Sequence, residues 1–303
     1  MSDTQLQLAR ALELPSRQAM LERNISVQDF WHNNRSLLAN AWQEWDLSEL
    51  ENTVIPDEAL VDATLRDAVT AAWAEPTQEY KVRDLWQQVS ADVYQCQFFE
   101  PQRLDDLRNF LDKAADAKIP LRPPYGIALN RHGAMLDQRS QGYLASPSFQ
   151  AFYLDLMNKY MRPMARMLFP EVTGFDTQTF GFSIQYQAGL DTSLRLHTDA
   201  SAATLNININ KPDEGFTGSE VDFYDSKTGK VNRLSFKPGM AMIHRGNVAH
   251  AAQPITSGSR SNLVLWLYGE GGRVPQQLNT NAELDLRMRY STPNAKYDQY
   301  APF

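Results

Sequence analysis

The chain is short of several things, and each shortage closes off a class of protein. One cysteine, Cys96, stands among 303 residues, so no intramolecular disulfide can form. A lone thiol is what a reducing compartment leaves, and Cys96 reads as a small buried hydrophobe. No run approaches the ~20 consecutive apolar residues needed to span a bilayer. The first residues, MSDTQLQLAR, contain an acid and no apolar core, unlike a secretory signal. A cytoplasmic protein without a membrane partner is the expectation. Positive charge is in deficit: 29 Lys and Arg against 36 Asp and Glu leave a net charge of −7. That speaks against a nucleic-acid surface, which carries a basic face. There is no internal repeat and no low-complexity block, and histidine occurs five times only.

What is present is enough apolar material, 43 %, for a core of one large domain or two of ordinary size. The first 115 or so residues read as helical. SVQDFWHNNRSLLANAWQEW places Phe30, Leu37, Leu38 and Trp42 near helical spacing, with Ser26 as N-cap. VRDLWQQVSADVY and PQRLDDLRNFLDKAADAK look similar, and Pro120, Pro123 and Pro124 then break the pattern. A further helix is predicted over 147–168. Ser146 can cap it, Pro147 occupies a favoured first position, and Phe149, Phe152, Tyr153, Leu156, Met157, Tyr160 and Met164 form one stripe. That stripe reads as core, with no cofactor assigned to it.

From about residue 178 the pattern changes to short strands separated by turn residues. TFGFSIQYQ, TLNININ, SEVDFYD, VNRLSF, GMAMIH and SNLVLWLYG are the candidates. Many short strands so punctuated predict a sandwich or jelly roll. The expectation is an α+β protein: a helical region over 1–118, a jelly-roll domain over 119–272 that includes the helix at 147–168, and a polar tail over 273–303.

Within the strand region, LRLHTDASAATLNININ sets His197 and Asp199 two residues apart, and His250 follows Asp199 after 51 residues. On a regular strand, residues i and i+2 point to the same side. Two imidazoles and one carboxylate on one face of a metal form the facial triad of non-haem Fe(II) oxygenases. An isolated His is more often an ordinary buried or surface residue. Two further features bear on the choice. Arg260, ten residues after His250, opens an apolar strand in which Arg260, Asn262, Val264 and Trp266 share one face and Leu263, Leu265 and Leu267 the other. An inward guanidinium needs an anion, either an internal carboxylate or a bound dicarboxylate gripped bidentately. Asn is a poor strand former, so Thr204, Asn206 and Asn208 on one face predict a polar cavity, with Leu205, Ile207 and Ile209 packed on the helices.

HTDASAATLNININ, FTGSEVDFYD and KPGMAMIHRGNVAHAAQPITSGSRSNLVLWL together resemble the catalytic domains of prolyl and lysyl hydroxylases, within the 2-oxoglutarate- and Fe(II)-dependent oxygenases. ALNRHGAML at 128–136 resembles a stretch in other oxygenase-domain proteins of that superfamily. The match runs over roughly 125–270. The resemblance implies a double-stranded β-helix with flanking helices. It implies His197, Asp199 and His250 as Fe(II) ligands and Arg260 as partner of the distal carboxylate of 2-oxoglutarate, with O2 as the second cosubstrate. Tyr186 would line the cosubstrate or substrate pocket, and Asn208 falls where relatives place a second cosubstrate contact, often Tyr. Asn206, on the inward Asn face, is a further candidate cosubstrate contact, and His244 reads as structural. Ser219 replaces a Gly of the family's usual turn, a minor local change. The reaction implied is hydroxylation of an unactivated C–H bond of an amino acid, peptide or small natural-product intermediate. Desaturation or cyclisation stays open, as does the oligomeric state. A metal-binding jelly roll or a zinc hydrolase with the same three ligands is the alternative.

Overall fold

Two-residue alternation in SRSNLVLWLY builds an inner strand of the main sheet. The computed structural model describes residues 4–49, 51–124, 133–190, 193–276, 285–293 and 298–302. In chain order the strands are β1 (Gln87–Ser90), β2 (Val93–Gln97), β3 (Gln178–Gln187), β4 (Leu194–His197), β5 (Ala203–Asn208) and β6 (Thr217–Gly218). They continue with β7 (Val221–Tyr224), β8 (Val231–Leu234), β9 (Met240–Arg245), β10 (His250–Ala252), β11 (Ile255–Ser257) and β12 (Ser259–Tyr268). Strands β1-β2-β9-β5-β12-β3 form a six-stranded sheet, β4-β10-β7-β8 a four-stranded one, and β11-β6 a small pair. Every pairing among them is antiparallel.

The alternation of β12 and β5 divides the large sheet into two faces. Leu263, Leu265 and Leu267 of β12 join Leu205 and Ile207 of β5 and Ala241 and Ile243 of β9 in one apolar cluster with the helices. Each of these side chains is essentially without solvent contact. At ~1.5–3 kcal/mol per buried aliphatic side chain, this seam is a major favourable term. The opposite face looks toward the four-stranded sheet. Val93 and Met242 of the large sheet pack there against Val221 and Phe223 of the small one.

The helices that cover the large sheet begin with α1 (Gln5–Arg10), α2 (Arg17–Leu21), α3 (Ile25–Glu49) and α4 (Ala63–Ala74). They continue with α5 (Tyr80–Arg83), α6 (Leu104–Asp116), α7 (Pro147–Asp155) and α8 (Arg162–Leu168), and the tail adds α9 (Leu286–Arg289). Ser146 accepts from the amide of Phe149 and Pro147 opens α7, as predicted. The helix over 147–168 is interrupted by a π-helical turn, Leu156–Met161, before α8 resumes. Asp46 reaches across from α3, accepting from the Ser148 amide at 3.1 Å and from the hydroxyls of Ser146 and Ser148.

Two expectations need correction. Helix α3 starts at Ile25, so Ser26 lies inside it and does not cap it. VRDLWQQVSADVY is not one helix. It holds the end of α5 and the β1–β2 hairpin, which turns at Asp92 in the left-handed region. β2 pairs along β9, from Val93↔His244 to Gln97↔Met240. Val93 and Cys96 are buried there, and those tertiary contacts outweigh local helix propensity. The polar tail is partly anchored: the Arg166 guanidinium donates to the carbonyls of Met288 and Ser291 at 2.7 Å, and Arg289 pairs with the buried Glu79 at 2.5 Å. Residues 128–132 of ALNRHGAML, including His132, lie outside the described residues.

Candidate metal and cosubstrate site

The four-stranded sheet brings the two distant histidines face to face. His197, the last residue of β4, pairs in register with His250, the first of β10. Their ring centroids are 4.3 Å apart. Asp199 lies beyond the end of β4, not on it. Its amide donates to the carbonyl of Gly246 at 2.8 Å, which swings its carboxylate back to the two rings. Gly246 must be glycine for this: a Cβ there would stand 1.9 Å from the carbonyl oxygen of Ser201. Ligand atoms of His197, Asp199 and His250 lie within 4.8 Å of one another, the one such grouping among the described residues.

The atoms that face inward are defined by what the other atoms touch. Nδ1 of His197 lies 2.7 Å from the carbonyl of Arg195, and Nδ1 of His250 lies 3.0 Å from that of Val248. A carbonyl can only accept, so Nδ1 carries the proton in each ring and the Nε2 lone pairs are left for a metal. Asp199 Oδ1 sits 3.5 Å from Nε2 of His197 and 4.0 Å from Nε2 of His250. Phe223 stacks on the His250 ring at 5.6 Å and fixes its plane.

Electrostatics favour the ligating forms of Asp199 and His250 and oppose that of His197. Burial disfavours charge on Asp199, but the His197 hydrogen bond, the nearby histidines and the Thr204 hydroxyl outweigh it and hold the carboxyl at about 2. Burial, reinforced by His244, pushes His250 down to about 4. Burial also opposes the charged form of His197, yet the Asp199 carboxylate beside it raises its pKa overall.

Arg260 completes the wall of the same cavity, which measures about 150 Å³. It is 1 % exposed. Its Nη1 donates to the carbonyl of Ser219 at 2.5 Å, and its guanidinium lies 4.5 Å from the Tyr186 ring centroid and 5.3 Å from that of Phe236. Its Nε has no hydrogen-bond partner, and no carboxylate among the described residues pairs with it. The internal salt bridge open at the sequence level is therefore not found among them. Burial lowers the pKa of Arg260 and raises that of Tyr186, whose phenol the guanidinium partly offsets. Ser219 adopts φ +60°, the left-handed conformation a glycine would take freely, and presents its carbonyl to Arg260.

The other expected residues divide. Tyr186 and Asn206 line the cavity. Asn206 accepts from Asn262 of the neighbouring strand at 2.5 Å. Asn208 does not line it: the residue is fully buried and its amide binds Asn210. The TLNININ face is thus open to the cavity at Thr204 and Asn206 and closed by internal hydrogen bonds at Asn208 and Asn210, which holds Ser259 and Ser261 of β12. His244 is buried, with Nδ1 2.9 Å from the carbonyl of Arg245, and its ring lies 4.7 Å from His250. The Thr204 hydroxyl binds Asp199, a contact the sequence does not reveal: a Thr on the inward face is the available signal, but it does not name its target.

No protein-family model matches the chain. Over 186 residues it is 29 % identical to the 2-oxoglutarate and iron-dependent oxygenase domain-containing protein ICU11 of Arabidopsis thaliana, covering 57 % of the chain and 44 % of that protein. Over 129 residues it is 30 % identical to the multifunctional procollagen lysine hydroxylase and glycosyltransferase LH3 of Rattus norvegicus, covering 40 % of the chain and 16 % of that protein. A crystal structure of a Pseudomonas putida prolyl-4-hydroxylase aligns with a TM-score of 0.43 at 13 % identity, over 67 % of this chain and all of that one. The chain spans about half the length of the oxygenase-domain proteins it matches. The resemblance to 2-oxoglutarate- and iron-dependent oxygenases read from the motifs is borne out by the oxygenase-domain proteins among these matches. Among the described residues no helix is long and apolar enough to cross a membrane.

Proposed function

We propose that the chain is an Fe(II)- and 2-oxoglutarate-dependent dioxygenase that hydroxylates a C–H bond of an amino acid, a peptide or a small natural-product intermediate. The observation that carries this reading is Arg260: a fully buried guanidinium that forms no ion pair with a carboxylate among the described residues, on the wall of the cavity that holds the His197–Asp199–His250 grouping. An unpaired buried charge is costly, and a dicarboxylate bound between metal and guanidinium removes that cost. The donor set fits Fe(II): two neutral imidazoles and one carboxylate. A zinc hydrolase would use the same ligands without needing Arg260.

In this reading His197, Asp199 and His250 hold the metal, and Arg260 receives the far carboxylate of 2-oxoglutarate, with Tyr186 and Asn206 alongside. Fe(II) with 2-oxoglutarate and O2 supplies oxidative decarboxylation coupled to hydroxylation. The chain's part is to orient and to exclude water. The carbonyls of Arg195 and Val248 hold the Nδ1 proton of each histidine, so that the neutral ring offers Nε2 to a metal. Phe182, Ile184, Val264 and Trp266 form the apolar wall. The two facing sheets are assigned as the double-stranded β-helix, within residues 119–272. The region over 1–118 covers it and lends β1 and β2 to its large sheet. The names of the relatives, one of them a procollagen lysine hydroxylase, favour an amino-acid or peptidyl substrate.

The test is anaerobic addition of Fe(II) and then 2-oxoglutarate to metal-free protein. A visible charge-transfer band is expected, and it should be lost in Asp199→Ala. Tight metal binding without a band would refute the cosubstrate assignment and favour the hydrolase or a metal-binding protein.

A further inference from the structure

The two oxygens of Asp199 face different neighbours. Oδ1 faces the two histidine ligands, at 3.5 and 4.0 Å from their Nε2 atoms. Oδ2 is turned away from them. It accepts from the Thr204 hydroxyl at 2.6 Å and lies 3.9 Å from Nε2 of His244. Thr204 has a single hydroxyl proton, already given to Asp199. The Ser201 hydroxyl, 2.8 Å from Thr204 Oγ1, must then be the donor in that contact. The result is a directed chain from Ser201 to Thr204 to Asp199. Both hydroxyl residues are buried, at 3 % and 1 % exposure, and Thr204 is held in β5 between His244 of β9 and Trp266 of β12.

We propose that Thr204 is a positioning residue that locks Asp199 into one-oxygen ligation through Oδ1, with Ser201 orienting the Thr204 hydroxyl. The inference rests on the metal site proposed above. A carboxylate free to rotate can offer both oxygens to one ion and take a second coordination position. A short charge-assisted bond on Oδ2 opposes that, because it must be broken for Oδ2 to turn inward. The position kept free is one that a chelating keto acid requires. Groups that orient metal ligands in this way affect metal affinity or activity by ~10–100-fold when removed.

The experiment uses Co(II) as a spectroscopic probe in the full chain, comparing wild type with Thr204→Val, Thr204→Ser and Ser201→Ala. Valine keeps the shape of threonine and removes the hydroxyl, while serine keeps the hydroxyl and removes the methyl. Each protein is checked by thermal melt, then titrated with Co(II) and next with 2-oxoglutarate, following the visible d–d bands. Thr204→Val is expected to bind Co(II) with an altered d–d spectrum and to weaken 2-oxoglutarate binding by ~10-fold or more. Thr204→Ser should restore the wild-type spectrum and affinity, and Ser201→Ala should fall between. A Thr204→Val protein with the wild-type spectrum and 2-oxoglutarate affinity would overturn the proposal. So would Thr204→Ser behaving like Thr204→Val, since the methyl packing would then be the cause. If Thr204→Val does not fold, the Ser201→Ala spectrum decides: unchanged bands and affinity count against the proposal. Failure of wild type to bind Co(II) would instead overturn the metal site itself.

Discussion

Replacing Arg260 with Met separates a cosubstrate clamp from a structural ion pair. If Arg260 served stability through a hidden carboxylate, removing it would strand that charge and cost ~3–5 kcal/mol. No carboxylate pairs with it among the described residues. What the substitution removes is one hydrogen bond to the Ser219 carbonyl, ~1–2 kcal/mol, and ring contacts with Tyr186 and Phe236, ~0.5–2 kcal/mol in all. What it relieves is the desolvation of a buried guanidinium, of similar or larger size. The ligand-free Arg260→Met protein should therefore stay within about 1 kcal/mol of wild type in urea denaturation. Binding should suffer far more. Losing one side of a buried charge pair costs ~2–5 kcal/mol, or ~30-fold to several-thousand-fold in Kd at 1.4 kcal/mol per decade. Melts with Mn(II) and 2-oxoglutarate make the contrast visible. At a ligand concentration of ~100 Kd the wild type gains ~2.7 kcal/mol. A variant binding ~100-fold more weakly gains ~0.4 kcal/mol under the same conditions. A variant destabilised by more than about 3 kcal/mol yet still stabilised by 2-oxoglutarate as wild type would refute the reasoning.

Two further predictions concern the frame. Cys96 is 6 % exposed and burial pushes its thiol up to about 12. Because the folded value lies above the ~8.5 of an unfolded thiol, the associated stability is complete below ~8.5 and is lost as pH rises toward 12. Ellman's reagent at pH 8 should find no reactive thiol in the native protein and one in denaturant; fast native labelling would show that β2 is not docked on β9. Asp137 is 1 % exposed and accepts from the Tyr153 and Thr179 hydroxyls at 2.8 and 2.6 Å and from Arg139 at 2.9 Å. Asp137→Ala removes the acceptor shared by Tyr153, Thr179 and Arg139 and should cost ~3–5 kcal/mol in urea unfolding; a loss under about 1 kcal/mol would show that the network is not coupled.

Much of the candidate site could be read without coordinates because strand periodicity and donor chemistry are local properties. The alternation Arg260, Asn262, Val264, Trp266 against Leu263, Leu265, Leu267 predicted which face looks into the cavity, and the structure puts Arg260, Val264 and Trp266 on its wall and the leucines in the helix-side core, with Asn262 bonded to Asn206. The step from His197 to Asp199 nominated a shared ligand face. The reason assumed for it was incomplete: β4 ends at His197, and Asp199 is turned inward by its bond to Gly246. The β1–β2 hairpin was hidden because a segment of five or so residues carries too little periodicity to tell strand from helix, and pairing with β9 decides it.

Residue order and side-chain chemistry by themselves determined the strand-rich second half, the inward guanidinium and the two imidazoles and carboxylate able to hold a metal. Tertiary structure alone decided that His197 and His250 meet in register, that Asn206 reaches the cavity while Asn208 is spent on Asn210, and that no carboxylate among the described residues forms an ion pair with Arg260. It also decided that Asp199 turns one oxygen to the histidines and the other to Thr204. The physical reason is range. Alternation and donor type depend on neighbours one or two residues away, whereas hydrogen-bond partners within ~3 Å depend on how strands distant in sequence are brought together.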